Sequence, residues 1–347
     1  MYSKPQVFPR ARNAKNLGIA RGTFNHPGTL HSSEDIKRIK SHVAAQDEPW
    51  YRAYQHLASM PLVQTSWKAS PKEVLLRAAA GTTNLTVNYP SAYRDVYSAY
   101  GLALRWLITG NTSFADAAIK TLDGWGNTLK KIDGNEDKYL ATGLYGYQFA
   151  KAAELLRDYE GWPKANQTAF GTMLSSTLLN GLPDSSIVIN GALPYFSLAN
   201  FTEEGSGETL MEVQESGRDQ SHATLCIALA GVDLYGAFGN QILNGAEYTS
   251  KYNDNHSVPY QPYTSWEGNL TVVSEKQRFS IRPGFEAVFA HYNDVRGLNA
   301  SWTKAYRDYV NANNTLNIEG GGGDYGPNSG GFDAFGHGTL LYRINAG

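Results

Sequence analysis

One stretch of the sequence gathers polar side chains where a loop meets an apolar helix. QESGRDQSH, at 214–222, places Arg218, Gln220 and His222 directly before a run with helical spacing. A charged cluster beside a buried helix is costly unless its members are paired or used in chemistry. The cluster therefore has two interpretations, a proton-transfer site or a salt-bridged helix start capped by Ser216 or Asp219.

A second stretch, RPGFEAVFAHY at 282–292, carries a cation before a predicted helix and two proton-transfer side chains on its later turn. These are Arg282, His291 and Tyr292. The alternative is a helix start in which Arg282 pairs with Glu286 four residues later, while Tyr292 packs in the core.

Other common catalytic motifs are missing from the sequence or lack their context. GGGDYG at 321–326 matches a dinucleotide fingerprint, but it lacks the strand before it and the helix after it, so we interpret it as a mobile loop. The eight histidines show no metal-ligand spacing, and we predict no metal and no cofactor. Glycosidase chemistry with two carboxylates stays open, with Glu215, Asp219 and Glu286 as its candidates.

The composition favours a sugar ligand over a nucleic acid. Charged residues make up 18% of the chain, the net charge is −2, and there are 22 tyrosines and 35 glycines. No basic face for nucleic acid is evident, whereas aromatic rings and amides suit sugar faces and hydroxyls. No apolar run approaches the roughly 18 residues of a membrane span. The lone Cys226 excludes a disulfide within the chain.

Glycosylation sequons indicate a secreted eukaryotic protein, of fungal type. They begin at Asn84, Asn111, Asn166, Asn200, Asn255, Asn269, Asn299 and Asn313. Residues 1–24 contain no apolar core of a signal peptide, so we expect a mature form.

The elements that must position these side chains are mostly helices. Amphipathic spacing predicts helices over 32–57, 72–80, 91–109, 113–129, 137–159, 163–180, 219–240, 284–295 and 302–310. We expect 241–273 to be a surface excursion and TLLYRI, at 339–344, to be a strand. The pattern favours one all-α domain over 1–347, with an irregular segment at 1–31 and a Gly-rich tail at 313–347. A bundle, a solenoid or an α/α toroid could close such an array, and the Gly and aromatic loops favour a toroid with a cleft.

Several phrases together resemble the alginate-lyase superfamily of α/α-toroid polysaccharide lyases, nearest to polysaccharide lyase family 38. They are NHPGTLHSSEDIKRIK (25–40), ALRWLITGNTSFADAAIKTLDGW (103–125), QESGRDQSH (214–222), RPGFEAVFAHY (282–292) and FDAFGHGTLLY (332–342). Because they span most of the chain, the resemblance implies a whole incomplete (α/α)6–7 toroid domain. It also implies a monomer that cleaves an acidic polysaccharide, glucuronan or alginate, by β-elimination.

The resemblance implies roles for particular residues. An elimination needs the uronate carboxylate neutralised, a base for the C5 proton and an acid for the leaving O4. His222 is the candidate base or carboxylate neutraliser, with Gln220 as the neutraliser beside it. Tyr292 is the candidate acid and could also act as the base, and Arg282 would lower the pKa of Tyr292 or bind the carboxylate. Candidates for substrate binding are Arg218, Asn190, Asn25, Arg94, Tyr97 and His291.

The sequence departs from the Asn-His pair that is common in related toroid lyases. Ser221 precedes His222, and Gln220 is two positions back, about 200° around a helix, so both reach one ligand only if 214–222 is a loop. Asn190 or Asn25 is then a rival for the amide role, and His291 for the histidine role. A toroid glycoside hydrolase and an inactive glycan-binding toroid are the alternative functions.

Overall fold

The computed structural model describes residues 26–28, 31–78, 86–135, 137–179, 235–265, 268–273, 275, 278–279, 281–332 and 336–346. Within these ranges the α-helices are α1 (Ser33–Ala45), α2 (Trp50–Ser59), α3 (Pro90–Thr109), α4 (Thr112–Thr128), α5 (Asp137–Leu156), α6 (Lys164–Met173), α7 (Ala237–Asn253), α8 (Phe285–Phe289), α9 (Ser301–Ala312) and α10 (Gly338–Leu341). Single π-helical segments continue α6 over Leu174–Leu179 and α8 over Ala290–Val295.

The start of α1 follows directly from its sequence. The Ser32 hydroxyl accepts a bond from the backbone N–H of Asp35, and the Asp35 carboxylate accepts one from the backbone N–H of Ser32. This reciprocal pair satisfies two donors that a helix start would otherwise leave open. Ser32 is thus the N-cap of α1.

The strands are short. β1 (Val74–Arg77) pairs in parallel with β2 (Lys131–Gly134), and β3 (Tyr263–Ser265) pairs antiparallel with β4 (Gly268–Leu270). In the β1–β2 register, Arg77 lies opposite Gly134 at the end of the ladder. This pairing links the chain before α3 to the chain before α5.

The main core surrounds α3, which packs against α4 and α5. Its largest fully buried side chains include Tyr97, Tyr100, Trp125, Tyr145 and Phe149. Asp95 lies among them as a buried acceptor for the indole N–H groups of Trp67 and Trp125, at 3.0 and 2.8 Å. Burial raises the pKa of Asp95 above its ordinary value, although these donors and the backbone N–H of Ser70 oppose the rise.

Four predicted elements were wrong. The helix predicted over 32–57 is two helices, since Gln46 ends α1 in the left-handed region at φ 58° and Pro49 precedes α2. The helix predicted over 72–80 is β1, because its partner β2 provides a ladder that local propensity does not reveal. The first part of the expected excursion over 241–273 belongs to α7, which ends at Asn253, and the expected C-terminal strand begins as α10.

The Gly-rich loop was also predicted wrongly, since its first residues are buried. A Cβ on Gly321 would clash with the His337 imidazole and the Tyr97 hydroxyl, and one on Gly322 would lie 2.8 Å from Phe332. These glycines allow close packing against α3, which explains their number without a nucleotide site.

Candidate active site

The predicted site residues divide into two groups. His222, Gln220, Arg218, Asn190 and Asn25 lie outside the described residues, as does the loop or helix conformation of 214–222. The described members are Tyr292, His291, Arg282, Tyr97 and Arg94. The roles of both groups remain predictions.

Tyr292 lies in the π-helical segment after α8 and has no exposed surface. Its hydroxyl donates to the backbone carbonyl of Tyr235 at 2.8 Å, and the Arg296 guanidinium lies 5.9 Å from its ring centroid. Arg296 is thus a cation that lies beside the Tyr292 ring among the described residues. A catalytic Tyr292 would have to exchange the Tyr235 carbonyl for a substrate oxygen.

His291 stacks on Tyr235, with ring centroids 3.5 Å apart and planes 17° apart. Its ring is perpendicular to that of Tyr292, at 90° and 5.3 Å. His291 is partly exposed, whereas Tyr292 is fully buried. Both side chains nevertheless pack against Tyr235, whose ring centroid lies 5.5 Å from that of Tyr292.

Arg282 precedes α8, which begins at Phe285, so the predicted pairing of Arg282 with Glu286 on one helix face is wrong. The Arg282 guanidinium instead lies against the C-terminal loop. A Cβ placed on Gly330 would be 3.3 Å from Arg282 Nη2.

Glu286 is fully buried and bonded by several donors. Its carboxylate accepts from Nε and Nη2 of Arg343, from Asn311 Nδ2 at 2.9 Å and from the Thr339 hydroxyl at 3.0 Å. Arg307 adds a second cation at 4.0 Å. An acid held in this way stabilises the fold and is a poor glycosidase catalyst.

A cation that the sequence analysis missed lies at the end of β1. Arg77 donates from Nη1 to the Tyr145 hydroxyl at 2.6 Å and approaches the Ser329 hydroxyl at 3.5 Å. These two hydroxyls are themselves bonded at 2.8 Å. The guanidinium carbon also lies 4.9 Å from the Tyr89 ring centroid and 5.7 Å from that of Tyr145. We call Arg77, Tyr89, Tyr145 and Ser329 the Arg77 cluster.

No local signal could have revealed the Arg77 cluster. Its members come from β1, the start of α3, α5 and the C-terminal loop, and Tyr145 and Ser329 are 184 residues apart. The prediction of a helix over 72–80 also placed Arg77 on the wrong kind of element. Only the β1–β2 pairing and the return of the C-terminal loop bring the cluster together.

The predicted substrate contact Tyr97 has no exposed surface. Its hydroxyl bonds to His337 Nε2 at 2.7 Å and to the Met60 sulfur at 2.7 Å. Burial raises the pKa of Tyr97 well above its ordinary value and lowers that of His337 to about 3. These contacts favour a structural role, in which Tyr97 anchors the C-terminal loop on α3.

Arg94, the other predicted contact on α3, is exposed, with its guanidinium carbon 5.6 Å from the Tyr93 ring centroid. A separate hydrogen bond involves the Gly-rich loop at 321–326, where His56 Nε2 bonds to Asp324 at 2.7 Å. This bond ties α2 to the Gly-rich loop.

Comparison with solved structures places the fold. The chain is similar to alginate lyase A1-III from Sphingomonas species A1, with a TM-score of 0.58 and 14% sequence identity, over 90% of this chain and 95% of that one. No protein-family profile matches the sequence, and no curated protein matches it. The mostly helical architecture is thus the alginate-lyase-like α/α toroid that the sequence predicts. The likeness to family 38 stays a prediction.

The described residues contain neither a metal-binding cluster nor a membrane-spanning helix. Among them, no group of three or more His, Cys, Asp or Glu side chains is arranged to hold a metal ion. In the same part of the chain, no helix has both the length and the apolarity to cross a bilayer.

Proposed function

We propose that the protein is a polysaccharide lyase that cleaves 1,4-linked uronate polymers, glucuronan or alginate, by β-elimination. The observation that carries the proposal is the fold likeness to an alginate lyase over nearly the full length of both chains. The phrases at 214–222 and 282–292 supply side chains of the types that elimination requires.

The proposed mechanism assigns one step to each group. Gln220 or Arg282 stabilises the negative charge that develops on the uronate carboxylate when the C5 proton leaves. His222 takes that proton, and Tyr292 protonates the departing O4. The bond broken is C4–O4, and the product carries a C4=C5 double bond at its new non-reducing end.

The stereochemistry of the substrate determines which residues can act as base and as acid. In β-mannuronate and β-glucuronate, H5 and O4 lie on the same side of the ring, so Tyr292 alone can act as base and then as acid. A tyrosine with the ordinary pKa of about 10 is a weak base at neutral pH and needs a cation nearby. In guluronate the two atoms lie on opposite sides, which favours His222 as base and Tyr292 as acid.

The glycoside hydrolase alternative loses one of its three carboxylates. Glu286 is fully buried and is bonded by Arg343, Asn311 and Thr339, so it has no exposed surface for a glycosidic oxygen. Only Glu215 and Asp219 remain for that chemistry, and both lie outside the described residues.

Secretion and N-glycosylation are part of the same proposal. The sequon asparagines at 111, 255, 269, 299 and 313 are exposed, which is compatible with attached glycans. Asn166 is only partly exposed, and its Nδ2 donates to Asp123 at 2.5 Å. We therefore expect Asn166 to be the least modified of these described sites.

An ultraviolet assay for unsaturated uronate tests the proposal on glucuronan, polymannuronate and polyguluronate. We expect absorbance to rise with at least one polymer, and Tyr292→Phe to lower kcat by about 100-fold or more because the proton donor is lost. Tyr309→Phe, at an exposed tyrosine of α9, is the matched control and should keep full activity.

Two results would contradict different parts of the proposal. If no polymer gives an absorbance rise, the lyase function on these substrates is wrong. If the rise survives both Tyr292→Phe and His222→Ala, the function stands but the residue assignment is wrong. Thermal melting of each variant checks that the loss of the Tyr292 bond to Tyr235 leaves the fold intact.

A further inference from the structure

The Arg77 cluster has the features of a binding site for an anion. Arg77 is partly buried, and the groups that bond it are neutral hydroxyls of Tyr145 and Ser329. Among the described residues, no carboxylate lies within 4.0 Å of its guanidinium. A guanidinium has five N–H donors in a planar fork, and its preferred partner is a carboxylate or phosphate bound through two of them.

Other arginines in the described chain show what a neutralised guanidinium looks like here. Arg343 and Arg307 both lie beside the buried carboxylate of Glu286, and Arg38 pairs with Asp35 at 3.3 Å. Arg77 differs from these because its surroundings supply hydrogen-bond acceptors without negative charge. A bound anion would supply that charge.

The aromatic rings fix the direction of the Arg77 fork. Its guanidinium carbon lies near the faces of Tyr89 and Tyr145, and Nη1 is held by the Tyr145 hydroxyl. Such contacts already restrict the Arg77 side chain, so less conformational entropy is lost when a ligand binds. The guanidinium is thus preorganised for a ligand. The partly exposed ring of Tyr89 also suits the apolar face of a sugar.

A second cation lies across the same turn. Arg77 approaches Ser329, while the Arg282 guanidinium lies against the backbone of Gly330. Ser329 and Gly330 are adjacent, and neighbouring Cα atoms are only about 3.8 Å apart. Two guanidinium groups therefore lie beside one short turn.

We propose that Arg77, oriented by Tyr145 and Ser329, is a substrate-binding residue that holds the carboxylate of a uronate residue of the polymer. The inference rests on the proposed lyase function for the identity of the ligand. It adds to that function a residue that sets affinity for acidic sugars, in a position that the motif phrases do not include.

Steady-state kinetics on the preferred polymer gives the first test. Arg77→Gln should raise KM by about 10- to 100-fold, the range for hydrogen bonds to charged groups, and leave kcat within about threefold. Arg77→Lys keeps the charge but loses the planar fork of donors. Its KM should therefore lie between that of the unchanged protein and that of Arg77→Gln. Arg105→Gln is the matched control, because Arg105 is also partly exposed, lies over a ring and bonds only neutral acceptors.

Calorimetric binding separates the carboxylate contact from a general loss of structure. The ligands are a short oligouronate and its carboxyl-reduced, neutral counterpart, and the background is Tyr292→Phe so that neither is consumed. Arg77→Gln should weaken binding of the oligouronate by about 10- to 100-fold and leave binding of the neutral sugar unchanged. Equal losses for both ligands, or no loss for either, would overturn the inference.

The outcomes also distinguish this inference from the proposed function. Unsaturated product with an unchanged KM in both Arg77 variants would refute the subsite and keep the lyase. Arg77-dependent binding of oligouronates without any unsaturated product would support the subsite and refute the lyase. If Arg77→Gln does not fold, Arg77→Lys decides by the same measurements.

Discussion

The described chain has two regions that are stabilised in different ways. In the N-terminal region, residues 31–179, one large apolar cluster joins α3, α4 and α5 around Trp125, and a few C-terminal side chains such as Phe332 and Leu340 pack into it. In the C-terminal region, residues 235–346, the separate apolar clusters are small, one around Tyr292 and one around Phe285 and Tyr306. Between α8, α9 and α10 the C-terminal region instead buries the Glu286 carboxylate with its cations and amide.

The difference shows what each kind of interaction specifies. Apolar burial is nondirectional and roughly proportional to area, so helices with an apolar face can pack in several related ways. A buried carboxylate is tolerated only when donors reach it with good geometry, so it fixes which segments meet. The C-terminal region thus uses directional bonds to hold the segment that carries Arg282 and Tyr292.

The largest expected effect is in the N-terminal region. Trp125→Ala removes a side chain with no exposed surface and leaves Asp95 without one of its donors. We expect the free energy of unfolding to fall by about 3–5 kcal/mol, measured by urea denaturation. Trp106→Ala, at a partly exposed tryptophan, is the control and should cost clearly less. Equal losses would mean that the apolar cluster does not dominate this region.

The buried ion pair of the C-terminal region gives the next test. Glu286→Gln should lower the free energy of unfolding by about 3 kcal/mol, because Arg343 then lacks its counter-charge, whereas Arg307 keeps its bond to Asp308. Adding Arg343→Met should cost less than the sum of the two single changes. Strict additivity in urea denaturation would show that Glu286 and Arg343 do not stabilise each other. Glu34→Gln, in an exposed pair with Lys37, is the control and should have little effect.

The contact between the two regions should depend on pH through His337. Burial lowers its pKa to about 3, against an ordinary 6.5; Asp324 raises it and His56 lowers it further. Below pH 6.5 His337 therefore binds a proton in the unfolded chain but stays neutral in the folded protein. The free energy of unfolding falls as the pH is lowered, until the pH approaches about 3. Between pH 7 and pH 5 this costs about 2 kcal/mol.

Denaturation at several pH values compares the protein with His337→Gln. His337→Gln should lose the part of the stability decrease at low pH that comes from His337. The part that comes from buried His31 should remain, because burial lowers the pKa of His31 to about 4. His256→Gln, at an exposed histidine, should keep the slope of the unchanged protein. An unaltered slope in His337→Gln would refute a neutral His337 in the folded state.

The sequence predicted the helices of the N-terminal region well, because their apolar faces repeat at the helical period. The predicted helix over 91–109 is α3, and the one over 113–129 is α4 within a residue at each end. Prediction from the sequence failed where the residues that pair or pack together are distant in the chain. β1 forms because β2 pairs with it, and Gly321 is packed because His337 and Tyr97 leave no space for a side chain.

The candidate site shows the same division. Residue types alone singled out Arg282 and Tyr292, but they suggested the wrong partner for Arg282 and did not reveal the Tyr235 carbonyl that accepts from Tyr292. They also missed Arg77, whose neighbours come from three separate segments outside β1.

The sequence by itself determined the all-α class, the α1 cap and the stretches rich in proton-transfer side chains, since each depends on residues within a few positions of one another. The tertiary structure decided which charges are neutralised. Glu286 has its arginines, whereas Arg77 has hydroxyls and rings, because electrostatic pairing depends on distance in space and segments far apart in sequence supply the partners.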